Sequence, residues 1–424
     1  MYRQPAPGTS PGTCERGPQV GAGAADRGDM PAGERWIALG LNAALFGICY
    51  PATNHLGQLK HDRSGVGGVA MAWEAALPFV PWMVVPYMTS GLLFALSFLL
   101  VRGRGELSAL SRRVAFATLA ACLIFAAFPL RFELTRPAVD AALPAWLFAQ
   151  LSLVDRPYNQ LPSLHVAYCV IFWPALRTVA RAAWQRAALA GWLLLVAVST
   201  VFSYQHHALD VAGGALLGVL AVRLLPAPSP GAEVRKPVSF VYAALAALSL
   251  LAWLALDGPW WLYLCASLLL VARAYHTRSA AFLRKRDGRY PLWIWLLYAP
   301  YLAGYLLTWQ LVRLRERRRP PFVHHGGPLW VGRRLSNAEA ARLPPDCVVI
   351  DLANELSETP ALRQHVYRHF PLLDLDTPTM QSARHVVEAI ALYAREGRPI
   401  YLHCAMGYRR SREVAQLYQE HSQQ

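Results

Sequence analysis

Near its carboxyl end the chain carries "IYLHCAMGYRRSREV", Ile400 to Val414, in which Cys404 stands six positions before Arg410. A strand-like segment before the cysteine and a helix-like "REVAQLYQEH" after it leave five residues to curl into a loop. The backbone N–H groups of such a loop, at the N-terminus of a helix, suit a phosphate dianion. Arg410 can grip two phosphate oxygens through its planar fork. In that field Cys404 is a candidate nucleophile. Gly407 permits the tight turn, His403 can hold the loop, and Ser411 is placed to help the sulfur depart in a second step.

The order His-Cys, five residues, Arg-Ser resembles the signature of the cysteine-dependent dual-specificity phosphatases. Upstream, "VVIDLANE" and "PLLDLDTP" are similar to that family's early strand and general-acid loop. The resemblance implies a small soluble α/β phosphatase domain working through a phosphocysteine, with Asp374 as proton donor to the leaving alcohol and Asp376 as the alternate. Room for one helix remains after Arg410, so the domain is expected to be minimal or to lean on the rest of the chain. Cys347 has no comparable context and reads as core.

A second group of polar residues lies within apolar surroundings, in "LPSLHVAY" around His165 and "STVFSYQHHALDVAGG" around His206. Ionisable groups at membrane depth are costly and usually functional. His206 and Asp210, spaced H-x-x-x-D, share one face if the stretch is helical, so the carboxylate can orient the imidazole as a nucleophile. His165, at another helix start, can act as general acid. His207 and His276 lack a spaced partner and read as structural.

Pro-Ser-x-His followed by Ser-x6-His-x3-Asp resembles the type 2 phosphatidic acid phosphatase superfamily, and "PSLH" with "HH" and "GG" is similar to its inositol phosphorylceramide synthase branch. That resemblance, over roughly Trp36 to Leu225, implies that His206 attacks phosphorus, Asp210 positions it, His165 protonates the departing group, and Ser163 binds a phosphoryl oxygen. Arg136, in "FELTRP", matches the Arg-Pro of the first motif. Pro129 and Thr200 stand where that family has a lysine and an arginine, and Arg131 can supply one of the missing charges.

Elements of two kinds must position these groups. Hydrophobic residues make up 55% of the 424, charged residues 16%, and the formal net charge is +15. This is more apolar and less charged than an ordinary soluble domain. Nine apolar runs approach the roughly 20 residues that a helix needs to cross hydrocarbon: Trp36 to Tyr50, Leu77 to Val101, Val114 to Leu130, His165 to Val179, Ala187 to Phe202, Val211 to Leu225, Val238 to Leu256, Trp260 to Ala274 and Leu292 to Leu311. The basic residues flank these runs, where they set orientation, and no basic stripe interleaved with aromatics would bind nucleic acid. Arg102, Arg104, Arg112 and Arg113, then Arg177, Arg181 and Arg186, then Arg235 and Lys236, then Arg278, Arg284, Lys285, Arg286 and Arg289 fall on one side of the membrane. The N-terminus is then inside, and the loops with Arg136, Ser163 and His206 open outward. The cluster Arg313 to Arg319 conflicts with a ninth full span, and Pro291 and Pro300 point to a re-entrant or interfacial segment there. Trp260, Trp261 and Tyr290 read as interface anchors.

The expected organisation is a multi-pass α-helical membrane domain followed by a small soluble α/β phosphatase domain. Its parts are a tail over 1–34 too poor in apolar periodicity to fold, a phosphatidic acid phosphatase type 2-like domain over 35–228, further transmembrane helices over 229–312, and a dual-specificity phosphatase-like domain over 313–424. Cys347 to Leu352 and Pro399 to Leu402 read as strands and Gln381 to Arg395 as a helix. Of seven cysteines, Cys49, Cys122, Cys169 and Cys265 lie in apolar runs as buried hydrophobes, without disulfide or metal spacing. No cofactor or metal is expected. The partners are membrane phospholipids and a phosphorylated lipid or protein substrate, and the location is a cell membrane of the bacterial inner type with the cysteine site cytoplasmic. The expected function is a bifunctional membrane phosphatase or phosphotransferase. The alternative is an anchored phosphatase whose helices bind or sense phospholipid without catalysis.

Overall fold

The computed structural model describes residues 30–228, 238–375, 378 and 380–422. Most of the opening tail, Cys14, Arg235, Lys236 and Asp376 lie outside the described residues.

The helical part comprises α1 (Ala32–Ser64), α2 (Val84–Met88), α3 (Ser90–Leu100), α4 (Arg104–Ala127), α5 (Ala142–Val154), α6 (Leu164–Leu176), α7 (Ala183–Phe202), α8 (Ala208–Leu224), α9 (Val238–Leu256), α10 (Pro259–His276) and α11 (Leu292–Arg315). Six helical stretches among the described residues are long and apolar enough to cross a membrane: 32–64, 81–100, 104–127, 183–202, 238–256 and 292–315. α4 is the axis of the bundle, with α1, α6, α8 and α9 packed about it. Its buried residues include Leu110, Val114, Ala117, Ala121 and Phe125, so small and large side chains alternate around it. Cys49, Cys122, Cys169 and Cys265 are buried.

Close approach of α8 to α6 depends on glycine. A Cβ on Gly214 would stand 2.3 Å from the Ser163 carbonyl oxygen, and one on Gly218 would stand 2.8 Å from that of Ala167. This small-residue spacing lets two backbones meet. It brings the start of α8 against the start of α6.

Several sequence expectations change here. The tail ends earlier, because α1 begins at Ala32, and α1 continues past Tyr50 through Pro51 to Ser64. The run Leu77 to Val101 is broken into short 3-10 and α segments around Pro81 and Pro86. α5 was not anticipated. Arg112 and Arg113 lie inside α4, and Arg113 Nε donates to the Leu225 carbonyl at 2.9 Å, satisfying an end carbonyl of α8. α11 is kinked at Tyr298, ahead of Pro300, where the backbone leaves helical geometry between two helical stretches.

The carboxy-terminal part is a five-stranded sheet of β1 (Phe322–Gly326), β2 (Leu329–Arg333), β3 (Val348–Ala353), β4 (Val366–Leu372) and β5 (Ile400–Cys404), in the order β1-β2-β5-β3-β4. β1 and β2 form an antiparallel hairpin, and β2, β5, β3 and β4 run parallel. Central strands buried on both faces read as continuous apolar runs, as "VVI" does in β3. Three helices complete it: α12 (Asn337–Ala340), α13 (Met380–Arg395) and α14 (Arg410–Ser422). α13 buries Ala383, Val386, Val387 and Ile390, the spacing of one helical face. At ~1.5–3 kcal/mol for each large side chain removed from water, that face is enough to seat it on the sheet.

The two parts interlock. Lys285, in the loop between α10 and α11, pairs with Asp351 of β3, and Tyr290 in the same loop donates to the Asn354 carbonyl. From α11, Tyr305 donates to Asp374 Oδ2 at 2.8 Å and Trp309 to the Arg334 carbonyl at 2.9 Å. The loop before α11 and the carboxyl-terminal half of α11 thus touch the same small domain. Lys285 and Tyr290 are therefore neither headgroup cation nor interface anchor. Both are buried against the α/β part.

Candidate functional site

β5 runs between β2 and β3, with all five of its residues buried, and ends at Cys404. α14 begins at Arg410, so the loop 405–409 lies at the carboxyl edge of a parallel sheet, where ligands of open α/β folds bind. Cys404 is 3% exposed at the base of this loop. The Gly407 N–H donates to its sulfur at 3.3 Å, and Ser411 Oγ is 3.5 Å from it. Gly407 has φ +73°, and a Cβ there would stand 2.8 Å from the Arg333 nitrogen and 2.9 Å from the Gly332 carbonyl carbon. The turn needs glycine on both counts.

Arg410 is buried. Its fork pairs with Glu355, Nη1 donates to the Leu372 carbonyl at 2.7 Å, and Nη2 lies 3.3 Å from Asp374 Oδ1. Burial opposes its charge, but Glu355, with Asp374 beside it, outweighs burial and holds its pKa well above the usual value. The fork that the sequence assigns to phosphate is therefore held by a carboxylate of the protein, which fixes the plane of the guanidinium. Asp374 joins Tyr305 of α11 to Arg410, at the mouth of the loop.

His403 is fully buried, with Nε2 3.2 Å from Glu358 and Nδ1 3.8 Å from Asp351. Burial disfavours its charged form, but the two carboxylates together raise its pKa above the usual value. Asp351, Glu358 and His403 present ligand atoms within 4.8 Å of one another, a grouping that spacing along the chain had concealed. One member of it is already paired with a cation of the protein: Lys285 Nζ meets Asp351 and donates to the carbonyls of Ala353 at 2.9 Å and Leu356 at 2.6 Å. Cys347 is core, as read.

In the helical part His206 lies just before α8, in the turn after α7, so it does not share a helical face with Asp210. Asp210 sits in the first turn of α8, and the incoming chain folds back over it. His206 Nδ1 is 3.4 Å from Asp210 Oδ2, which accepts the His207 N–H at 2.8 Å. The Gln160 amide, oriented with its nitrogen inward, donates to the same oxygen at 3.1 Å. Ser163 immediately precedes α6 and its N–H donates to the Asp210 carbonyl at 3.0 Å. His165, in the first turn of α6, has its ring centre 6.0 Å from that of His206 and stacks on Tyr87 at 4.2 Å. Ser163 Oγ, His206 Nδ1 and Asp210 Oδ1 are all buried without a hydrogen-bond partner.

A cleft of about 780 Å³ opens at His206, lined also by Arg131, Arg136, Arg156, Gln160 and Gln205. Its first loop is pinned by the Arg131 N–H to the Gly67 carbonyl and the Phe132 N–H to that of Pro157, both 3.0 Å. Arg131 Nη1 is 3.2 Å from His61 Nε2, and the Arg136 guanidinium lies 4.2 Å above the Phe148 ring. His165, Ser163 and Asp210 stand behind His206 and do not line the cleft. His207 is structural: its Nδ1 meets Glu74 at 2.7 Å, its Nε2 accepts the Glu133 N–H at 3.3 Å, and its ring stacks on Phe132.

Residues 87–228, which include His165, Ser163, His206 and Asp210, match the family model of the PAP2 superfamily. A PAP2 superfamily domain occupies that stretch. Neither a curated protein nor a solved structure matches the chain.

Sequence reading missed residues in both parts. In the PAP2 domain Arg156 lines the cleft, and Thr200, at the position of an expected arginine, is buried with Oγ1 turned to the Ala197 carbonyl. Arg131 and Arg156 line the cleft and bring positive charge to it. The signal for Arg156 was the charged pair Asp155-Arg156 between two apolar helices. Glu355 stood in the quoted "LANE", but its partner Arg410 is far along the chain.

Proposed function

We propose that the chain is a membrane phosphatase with two sites. The PAP2 superfamily suggests a phosphatase acting on lipid phosphates, and the observation that carries the first site is His206 at an arginine-lined cleft with its Nδ1 3.4 Å from the buried carboxylate of Asp210. A buried carboxylate against one ring nitrogen orients an imidazole so that the other nitrogen can act as a nucleophile. In the proposed reaction the free Nε2 of His206 takes the phosphoryl group as the ester P–O bond breaks, and His165 gives a proton to the leaving oxygen. Water, or an acceptor alcohol, then takes the phosphoryl group from the histidine. Asp210 positions His206, and Arg131, Arg136 and Arg156 meet the charge on phosphate. Arginines bind phosphate in a catalyst and in a lipid sensor alike, so the phosphohistidine on His206 is what separates the two.

The second site is the loop after β5. Cys404 takes the phosphoryl group, Asp374 protonates the departing alcohol, and water releases phosphate with the sulfur as leaving group and Ser411 beside it. What supports this dual-specificity phosphatase-like reading is the N–H of Gly407 directed at the sulfur together with an arginine held by Glu355.

The test is turnover by the full chain in vesicles. His206→Ala removes lipid-phosphate hydrolysis and Cys404→Ser leaves it, while Cys404→Ser removes hydrolysis of an aryl phosphate under reducing conditions. Acid-quenched protein carries a phosphohistidine in the wild type and none in His206→Ala. The reverse pattern of losses would refute both assignments.

A further inference from the structure

A groove of about 660 Å³ runs between α9, α10 and α11, and its far end is Asp374 and Met406. Met406 belongs to the loop that begins at Cys404, and Asp374 lies 3.3 Å from Arg410, so the groove ends against residues of the cysteine site. Its walls change character along its length. Leu245, Leu248, Leu264 and Leu268 line the stretch within the helices, and Tyr242 and Tyr305 line the end beside Asp374.

We propose that this groove receives the tail of a membrane lipid and presents its phosphomonoester headgroup to Cys404, so that the cysteine site acts on a lipid and not on a phosphoprotein. The inference rests on the reading of Cys404 as a phosphate-ester nucleophile and adds the substrate class. A peptide laid among leucines would strand its backbone N–H and C=O groups, at a cost of a few kcal/mol each. An acyl chain has no such groups. From Tyr242 to Ser249 the groove follows roughly 10 Å of helix axis, and its volume is within the ~300–1,000 Å³ of sites that enclose a small ligand. The polar end matches a headgroup: the Tyr305 hydroxyl holds Asp374, and the Tyr275 and Tyr301 hydroxyls lie 3.5 Å apart nearby. α9 and α11 are also long and apolar enough to lie in a bilayer, where a lipid can enter sideways.

Gly304 of α11 lines the groove, and a Cβ there meets nothing within 4 Å, so a larger side chain can start there without a clash at its first carbon. The experiment uses the full chain in neutral vesicles, and defines cysteine-dependent turnover as the rate lost on Cys404→Ser. The probes are phosphatidic acid, an alkyl phosphate series, a phosphotyrosine peptide and an aryl phosphate. Gly304→Trp is expected to lower the ratio of phosphatidic acid to aryl phosphate turnover at least tenfold, with Gly304→Ala within twofold of wild type. In the wild type KM should fall as the alkyl chain lengthens. An unchanged ratio in Gly304→Trp, a KM indifferent to chain length, or a phosphopeptide turned over faster than phosphatidic acid overturns the proposal. The chain-length series needs no variant and decides the matter even where Gly304→Trp fails to fold. Absence of cysteine-dependent turnover of every probe would instead remove the reading of Cys404 itself.

Discussion

Lys285, from a loop between two apolar helices, forms an ion pair with Asp351 of β3 in which neither side chain is exposed to solvent. Asp351 stays charged there: burial works against the carboxylate, but Lys285 and His403 together draw its pKa below the usual value. Removing one member of a buried pair leaves the other uncompensated, typically at ~3–5 kcal/mol. Lys285→Met should therefore destabilise the carboxy-terminal domain by about that amount, read as faster hydrogen exchange in β3 and β5. Adding Asp351→Asn should recover part of the loss. Equal exchange in Lys285→Met and wild type would contradict the pairing.

Gly407→Ala should abolish cysteine-dependent turnover while the PAP2 domain keeps its own. The strain of a β-carbon at φ +73° is on the order of 1–3 kcal/mol, and contact with the Arg333 and Gly332 backbone adds to it. Aryl phosphate and lipid phosphate assays on one preparation check this. Retained cysteine-dependent activity would mean that the loop tolerates another turn.

Glu339 sets an acid limb. Burial raises its pKa, but hydrogen bonds from Arg333 and Ser336 outweigh that and pull it from 4.5 to about 2. The folded value lies below the unfolded one, so its contribution is fully present above pH 4.5 and is lost as pH falls toward 2. Tryptophan fluorescence melts of the full chain should show a midpoint that declines through this window. Glu339→Gln should lower the midpoint at neutral pH and flatten the decline. An acid limb as steep in the variant as in the wild type would assign it elsewhere.

Arg156→Gln should raise KM for lipid phosphate roughly tenfold, the scale of one charge-assisted hydrogen bond of ~1.5 kcal/mol. Arg131→Gln should act similarly, and the double variant should lose close to the product. Initial-rate kinetics at the histidine site decide it, and an unchanged KM in both single variants would take these arginines out of the site.

What could be read from the chain alone was whatever depends on neighbours in sequence. Apolar runs gave most of the helices, and "VVI", "IYL" and the spacing of Ala383, Val386 and Ile390 gave strands and a helix of the α/β part. The loop from Cys404 to Ser411 is contiguous and was readable for the same reason. The pairing of His206 with Asp210 was expected from helical spacing, but it arises from a turn folding onto a helix start. Hidden were the contacts across long separations: Arg410 with Glu355, His207 with Glu74, and Lys285 with Asp351. Lys285 was misread as a headgroup cation because four arginines surround it within a few residues, and nothing local distinguishes the one that turns inward.

The grip of Lys285, Tyr290, Tyr305 and Trp309 on the sheet has a consequence for how the two halves part company. A protease that nicks the connection between Arg315 and Phe322 severs the peptide and leaves this junction intact, so the fragments should co-purify from detergent. A clone beginning after that connection would start life without the ammonium that Asp351 requires.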